Sequence, residues 1–152
     1  LALNAAAHMQ QLRRTKAGPF IDDGMCTLQD LQDAFVYHER GDDTKLRQLL
    51  QPIETAISHL PHVVVLDSSV DSLCHGASCN TPGIAMFHSD IRKGDNVAVL
   101  TIKGELIAYG KAAMDAASMT QEKGLAVTIS KVFMLPGTYP AFKKDKDLAK
   151  KE

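Results

Sequence analysis

The spacing of apolar residues changes at Pro61, and that change limits the folds open to this chain more than any other feature. Before it, Leu28, Leu31, Ala34 and Phe35 recur at three- and four-residue steps, the signature of one helix face. Thr27 stands where a cap residue accepts from first-turn amides, and Asp30 takes the acid position of a capping box, a place more often held by Glu or Gln. Gly41 is the stop. A second helix is predicted from Asp43 with Leu46, Leu49 and Leu50 inward. A third starts at Pro52, carries Ile53, Ala56, Ile57 and Leu60, and ends before Pro61. Ahead of these, Leu1–Phe20 opens apolar and turns basic through Arg13, Arg14 and Lys16. Gly18-Pro19 ends that element, because proline lacks an amide donor and restricts the residue before it.

After Pro61 the pattern is that of strands. Val63-Val64-Val65-Leu66 is a β-branched run, and Asp67-Ser68-Ser69 offers N-cap chemistry for a short helix through Leu73. His75-Gly76-Ala77 breaks that helix, and Pro82–Met86 begins another extended piece. Val97–Ile102 and Glu105–Lys111 are predicted strands joined by a two-residue Lys103-Gly104 connection. Leu125, Val127 and Ile129 alternate with Ala126, Thr128 and Ser130, as in a half-buried strand. Ala112–Lys123 reads as a helix or a long loop, and Lys143–Glu152 as a charged, disordered tail. The expectation is an α+β chain with a mostly helical segment over 1–60, a small β-barrel-like domain over 61–142 and a tail over 143–152. No internal repeat is visible.

A formal charge of −1 excludes a uniformly basic coat, so any nucleic-acid contact must come from local patches and main-chain groups. Cysteine usage is three, at Cys26, Cys74 and Cys79, with no Cys-x-x-Cys pair, which disfavours a disulfide framework and points to a reducing, intracellular setting. Cys74, His75 and Cys79 do not match a zinc arrangement, and no metal is expected. The six histidines are scattered and none is assigned a catalytic role. No apolar run approaches the roughly 18 residues of a membrane span, and no secretory signal is seen. The first residue is not Met, from which a processed, excised or truncated chain is expected.

Two stretches resemble one family, at matching positions and in the right order. Ala7-His8-Met9-Gln10-Gln11-Leu12-Arg13-Arg14-Thr15-Lys16-Ala17-Gly18-Pro19-Phe20 resembles the Gly-Ala-His-Met-x-x-Leu-Arg-Arg-Thr-Arg-x-Gly-Pro-Phe segment of TruB-like pseudouridine synthases, in the dyskerin and archaeal H/ACA branch. Leu66-Asp67-Ser68-Ser69-Val70, His75-Gly76-Ala77, Pro82-Gly83-Ile84, Ile91–Val97, Lys131-Val132-Phe133-Met134 and Tyr139-Pro140 together resemble the PUA domain fused to those enzymes. Pro82-Gly83-Ile84 and the unbroken Val-Phe-Met look closer to archaeal members. Ala6 stands where the family prefers Gly, Leu66 where a Lys often precedes Asp-Ser, and Phe142 near where a Trp often follows Tyr-Pro.

The resemblance implies a helical remnant of a TruB-like synthase domain followed by a PUA pseudo-β-barrel. It implies an intact enzyme that converts uridine to pseudouridine in rRNA under a box H/ACA guide RNA. Such an enzyme needs neither metal nor organic cofactor, and works with three small ribonucleoprotein partners, one a kink-turn RNA binder. It has no membrane association, and is cytoplasmic if archaeal and nucleolar if eukaryotic. The family's catalytic Asp, its aromatic partner and its Tyr-x-Arg motif are expected upstream of Leu1, so this stretch alone is expected to be inactive.

Leu12, Arg13 and Arg14 would border the uridine pocket, holding a flipped base and a phosphate, or else form a strand with the arginines solvated. His75, Gly76, Ala77, Pro82 and Gly83 belong to the loop that the resemblance assigns to the ACA end and lower stem of the guide, where glycines let main chain approach base edges. The same glycines also suit a plain connection. Arg92, Lys93, Lys131, Lys143 and Lys144 are candidates for phosphate contact, or ordinary solvated cations. Tyr139 and Phe142 suit base stacking or, more readily, barrel packing. Two other readings stay open, a guide-independent tRNA synthase of the same superfamily and a protein-interaction module that keeps only the barrel.

Overall fold

Thr27 and Asp30 close the predicted capping box with a shorter acid than usual: Asp30 N–H donates to Thr27 Oγ1 at 3.1 Å and Thr27 N–H to Asp30 Oδ2 at 2.9 Å. The computed structural model in which they lie describes residues 6–121 and 123–141. It divides into two units, Leu1–Ala56 and Ile57–Glu152.

In the first unit, β1 (Lys16–Ala17) and β2 (Phe20–Ile21) pair antiparallel about Gly18, whose φ of 59° belongs to the left-handed region that glycine enters without strain. Helix α1 (Leu28–Glu39) turns at Arg40-Gly41 into α2 (Thr44–Leu49), and α3 (Glu54–Ile57) is a single turn at the division, shorter than the third helix expected. Of the face expected to be buried in α1 only Ala34 is; Leu28 is 82% and Phe35 52% exposed, and Leu50 after α2 is likewise exposed. Periodicity named the residues that share a face but not whether the face is covered.

The second unit is a nearly closed, PUA-like barrel. Its sheet has the order β4-β8-β7-β6-β3-β5, from β3 (His62–Val65), β4 (Cys79–Asn80), β5 (Ile84–Phe87), β6 (Asn96–Thr101), β7 (Leu106–Ala112) and β8 (Leu125–Val132). β3 runs parallel to β6, and every other neighbouring pair is antiparallel. Inside lie Val63, Val65, Val97, Val99, Ala108, Ala112 and Val127, capped by Val70, Leu73 and Cys74 of α4 (Asp67–Cys74) and by Ala116 and Met119 of α5 (Ala116–Gln121). Ala98, Leu100 and Leu106 face the other way, against Ile57 and Val64.

Four local expectations are corrected. The cap of α4 is Leu66, extended at φ −67° and ψ 147° and without a side-chain bond, because β3 leads straight into the helix; Asp67 is instead in the first turn, where its charge favours the helix dipole. Pro82-Gly83 is a tight 3-10 turn rather than a strand start, and β5 begins at Ile84. The β6–β7 connection is longer than two residues, because Thr101 Oγ1 captures the amides of Lys103 and Glu105, each at 3.2 Å. In β8, Ala126 is as buried as Val127, since opposite β4 the register steps from Val127 to Leu125 and leaves Ala126 as an extra, inward residue.

Candidate functional site

The C-terminus of α4 makes the loop that carries most of the candidate residues. Gly76 N–H donates to Leu73 C=O at 2.9 Å and Ala77 N–H to Ser72 C=O at 3.1 Å, with Gly76 at φ 85°, a Schellman closure that only glycine enters freely. His75 caps the helix, its Nδ1 2.8 Å from Asp71 C=O and its side chain largely exposed. The chain then drops through buried Cys79 into β4, turns at Thr81-Pro82-Gly83 and returns to α4: Leu66 N–H donates to Gly83 C=O at 2.9 Å. A Cβ on Gly83 would stand 2.3 Å from Ser69 Oγ, so this glycine serves the close approach of turn to helix.

Between the turn and the helix lies a groove of about 340 Å³. Its walls are Ser68, Ser69 and Ser72 on α4 and Ala77, Ser78, Asn80 and Gly83 on the loop, with Leu73 and Cys79 as the apolar floor. Hydroxyls, one carboxamide and main chain line it, and no charged side chain does. Such a lining reads hydrogen-bonding edges and not charge. The sequence reading assigned the loop but missed the serines; their signal was Ser68-Ser69 with Ser72 one turn later on a helix of known phase. The thiols beneath are not reactive groups. Burial pushes the Cys79 thiol up to about 11, and burial, then the Asp71 carboxylate, raises that of Cys74. Among the described residues no group of three or more His, Cys, Asp or Glu is placed to hold a metal ion.

The remaining cations gather elsewhere. Arg92 and Lys93 form a turn in which Asp95 Oδ2 accepts from Arg92 N–H at 2.9 Å and Asp115 Oδ1 from Lys93 N–H at 2.7 Å, leaving both basic side chains exposed. Two backbone bonds tie that turn to the end of β7, Gly94 N–H to Ala112 C=O and Ala112 N–H to Asp95 C=O. Lys131 pairs with Tyr109 across β7–β8, and Lys111 pairs with Asn96 on one side and Thr128 on the other. These residues share the sheet surface opposite α4, so the structure does not bring Lys131 to the groove. Tyr109 and Lys111 were not singled out in the sequence.

Tyr139 is buried at 9% exposure and donates its hydroxyl to Glu105 Oε2 at 2.6 Å, so its ring packs in the barrel and offers no free face. Leu12, Arg13 and Arg14 belong to the first unit and are exposed, Arg13 paired with Asp22 at 2.9 Å. Lys143, Lys144, Phe142 and the tail lie outside the described residues.

With this geometry in hand, the chain matches two family models, the C-terminal domain of tRNA pseudouridylate synthase B over residues 1–58 and the PUA domain over residues 61–133. It is 50% identical over 141 residues to a probable tRNA pseudouridine synthase B of Methanothermobacter thermautotrophicus, covering 91% of this chain and 44% of that protein. Among solved structures, it superposes on the archaeal box H/ACA sRNP Nop10–Cbf5 complex with a TM-score of 0.85 at 43% identity, covering 93% of this chain and 47% of the other. On an H/ACA RNP bound to a substrate RNA containing 2′-deoxyuridine the TM-score is 0.81 at 46% identity, with 91% and 45% covered. The chain therefore spans less than half the length of these relatives. Among the described residues no helix is long and apolar enough to cross a membrane.

Proposed function

Because this chain belongs to the TruB-like pseudouridine synthase family, as its C-terminal domain joined to a PUA domain, we propose that it holds RNA for uridine isomerisation and that the α4 groove takes the unpaired ACA end of a box H/ACA guide. The observation that carries this reading is the groove's lining. Serine hydroxyls, Asn80 and loop main chain supply donors and acceptors at the scale of base edges, and the apolar floor of Leu73 and Cys79 suits a base plane. His75, Gly76, Ala77, Pro82 and Gly83 shape the groove or flank it, and Arg92 and Lys93 meet phosphates of the adjoining stem. Tyr139 supports the barrel from within.

On this reading the chemistry at the uridine belongs to the part of the family polypeptide outside this chain. Leu12, Arg13 and Arg14 then line the rim of the uridine pocket in the whole enzyme. The partners are the guide RNA, an rRNA substrate and small ribonucleoprotein proteins, of which the Nop10 bound to the related Cbf5 is an example.

A second reading has its own support. The curated relative is named a tRNA pseudouridine synthase, so the groove would then hold an unpaired segment of tRNA without a guide. One titration separates the two: filter binding of the chain to an ACA-tailed hairpin, the same hairpin with the ACA mutated, and an unmodified tRNA. Preference for the ACA tail supports the guide reading. Equal weak binding to both hairpins overturns it, and retention of tRNA alone favours the guide-independent enzyme.

A further inference from the structure

Strands β3 and β5 form one edge of the barrel sheet, and the two ends of this pair are held differently. Toward α4, Leu66 N–H donates to Gly83 C=O at 2.9 Å, and the register shifts between Val64 and Val65. At the other end the ladder runs on from Val63–Phe87 to His62 and His88, where His88 N–H donates to His62 C=O at 3.1 Å. The two histidines therefore stand directly opposite one another. Residues so placed project to the same face, with Cβ atoms about 4.5–5.5 Å apart. Val63 and Val65 line the core, whereas Val64 packs with Ala98 on the other side of the sheet, and His62 shares that side with Val64.

The rings meet as the register requires: their centroids are 4.7 Å apart and their planes are inclined by 38°. Two imidazoles sharing one tetrahedral ion, each at a metal–nitrogen distance of about 2.0–2.1 Å, have centroids about 5 Å apart. His62 Nδ1 is buried and has no hydrogen-bond partner among the described residues. With the proton on Nε2 that nitrogen has a lone pair to offer, and a buried polar atom without a partner destabilises the fold until a ligand meets it. His88 is exposed, which leaves an ion a path from solvent and space for water. A flat stack of two neutral rings is not this arrangement, and it would leave the buried nitrogen idle.

We propose that His62 and His88 form a site for a divalent metal ion of the zinc class, which clips the edge strand β5 to β3. Imidazole nitrogens suit zinc, nickel and copper above magnesium or calcium, and zinc accepts four ligands without demanding a fixed shape. Two protein nitrogens hold the ion and water completes its shell, so it binds more weakly than at a structural site with four protein ligands. What the ion changes is the strand. β5 has four residues, one neighbouring strand and a register shift, the kind of edge that opens before the rest of a sheet. It follows directly on the Thr81-Pro82-Gly83 turn, so a clip at its far end also steadies that turn. Nothing in the sequence joins the two histidines, because strand pairing alone brings them together. The site stands whether or not the α4 groove binds RNA.

The test titrates Zn²⁺ into the full chain at pH 7, with Cys26→Ser present to remove the exposed thiol. The ring signals of the six histidines are followed by NMR. Those of His62 and His88 should shift together and saturate at one ion per chain. The second ligand acts through local concentration, so His62→Phe or His88→Gln alone should weaken zinc binding by about tenfold or more. Unfolding in urea gives an independent readout. Zinc should raise the midpoint of the parent and leave that of His88→Gln where it is. A cooperative transition without zinc shows that each variant is folded, and His88→Gln, at an exposed position, carries the test if His62→Phe does not fold. Parent affinity in either folded variant overturns the proposal, and so does the absence of any shift at this pair in millimolar zinc. Equal shifts at the other histidines over the same range mean an adventitious ion only, and overturn it as well.

Discussion

The Tyr139 hydroxyl donates to Glu105 Oε2 at 2.6 Å, joining residues 34 apart in sequence. Glu105 sits at the β6–β7 turn, where its other bond comes from Thr101 Oγ1 at 3.1 Å, and Lys103 Nζ stands 5.3 Å from the centre of the Tyr139 ring. The chain after β8 is thus fastened to the β6–β7 connection. The bond from Tyr139 above all holds the Glu105 carboxyl below its ordinary pKa of 4.5, against an opposing effect of desolvation and with lesser help from the Thr101 bond and the Lys103 charge. A carboxyl lowered in the folded state stabilises the fold above its ordinary pKa, and that contribution is lost as pH falls through the lowered value. Tyr139→Phe should therefore lower the melting temperature at pH 7 and reduce the acid-induced loss below about pH 4.5. Parallel melting curves from pH 7 to pH 3 for the two proteins would remove Glu105 from the latch.

The cysteines should separate sharply in a labelling experiment. Cys26 is exposed, whereas Cys74 and Cys79 are buried. With the Cys79 thiol pushed up to about 11, only about one in a thousand of these groups is thiolate at pH 8, and the thiolate is the nucleophile. Iodoacetamide at pH 8 should modify Cys26 quickly and the other two only on unfolding. Fast modification of Cys79, read by peptide mass, would contradict the closed floor of the groove.

His62 pairs with Ala98 at the start of β3, and its Nδ1 is buried without a hydrogen-bond partner. Its ring lies 4.7 Å from that of His88, centre to centre. A buried polar atom left unpaired costs about 1–3 kcal/mol, while an apolar ring of similar shape carries no such penalty. His62→Phe should stabilise the barrel by about 1 kcal/mol in urea unfolding. A destabilised variant would mean that the nitrogen is satisfied in solution.

How far the sequence reached can be judged from the same residues. The Thr27–Asp30 cap, the stop at Gly76 and the strands around Gly104 are local, set by residues within a turn or two of one another, and they were legible. The Glu105–Tyr139 bond was not, because nothing in either residue's neighbourhood names the other. The place of Lys131 was hidden for a different reason. Lys131 was seen, but its pairing with Tyr109 depends on Ser130 being passed over where Gly110 meets Ile129, and a bulge is decided by the partner strand. The loop and the cations were separate candidates in the sequence, and in the fold Lys131 lies on the β7–β8 ladder, away from the groove.

Two glycines separate structural need from binding need. A Cβ at Gly110 would lie 2.3 Å from Thr128 C=O and 2.9 Å from Val127 Cγ1. That carbonyl belongs to β8, so relief requires the β7–β8 ladder to part, and Gly110→Ala should cost about 1–3 kcal/mol. At Gly83 the same methyl meets Ser69 Oγ at 2.3 Å, the end of a side chain that can rotate, with Ser69 Cβ next at 3.2 Å. Gly83→Ala should cost less, and Ser69→Ala placed beside it should recover part of the loss. The effects on RNA should run in the opposite order. Gly83→Ala displaces a hydroxyl from the groove wall and should reduce preference for an ACA tail in a protein that is still folded. Gly110→Ala should lower the unfolding midpoint while the folded fraction keeps that preference. Unfolding in urea and hairpin titration on the same samples give both readouts, and a larger stability loss at Gly83 than at Gly110 would show that α4 and the loop, not the β7–β8 seam, form the tighter joint.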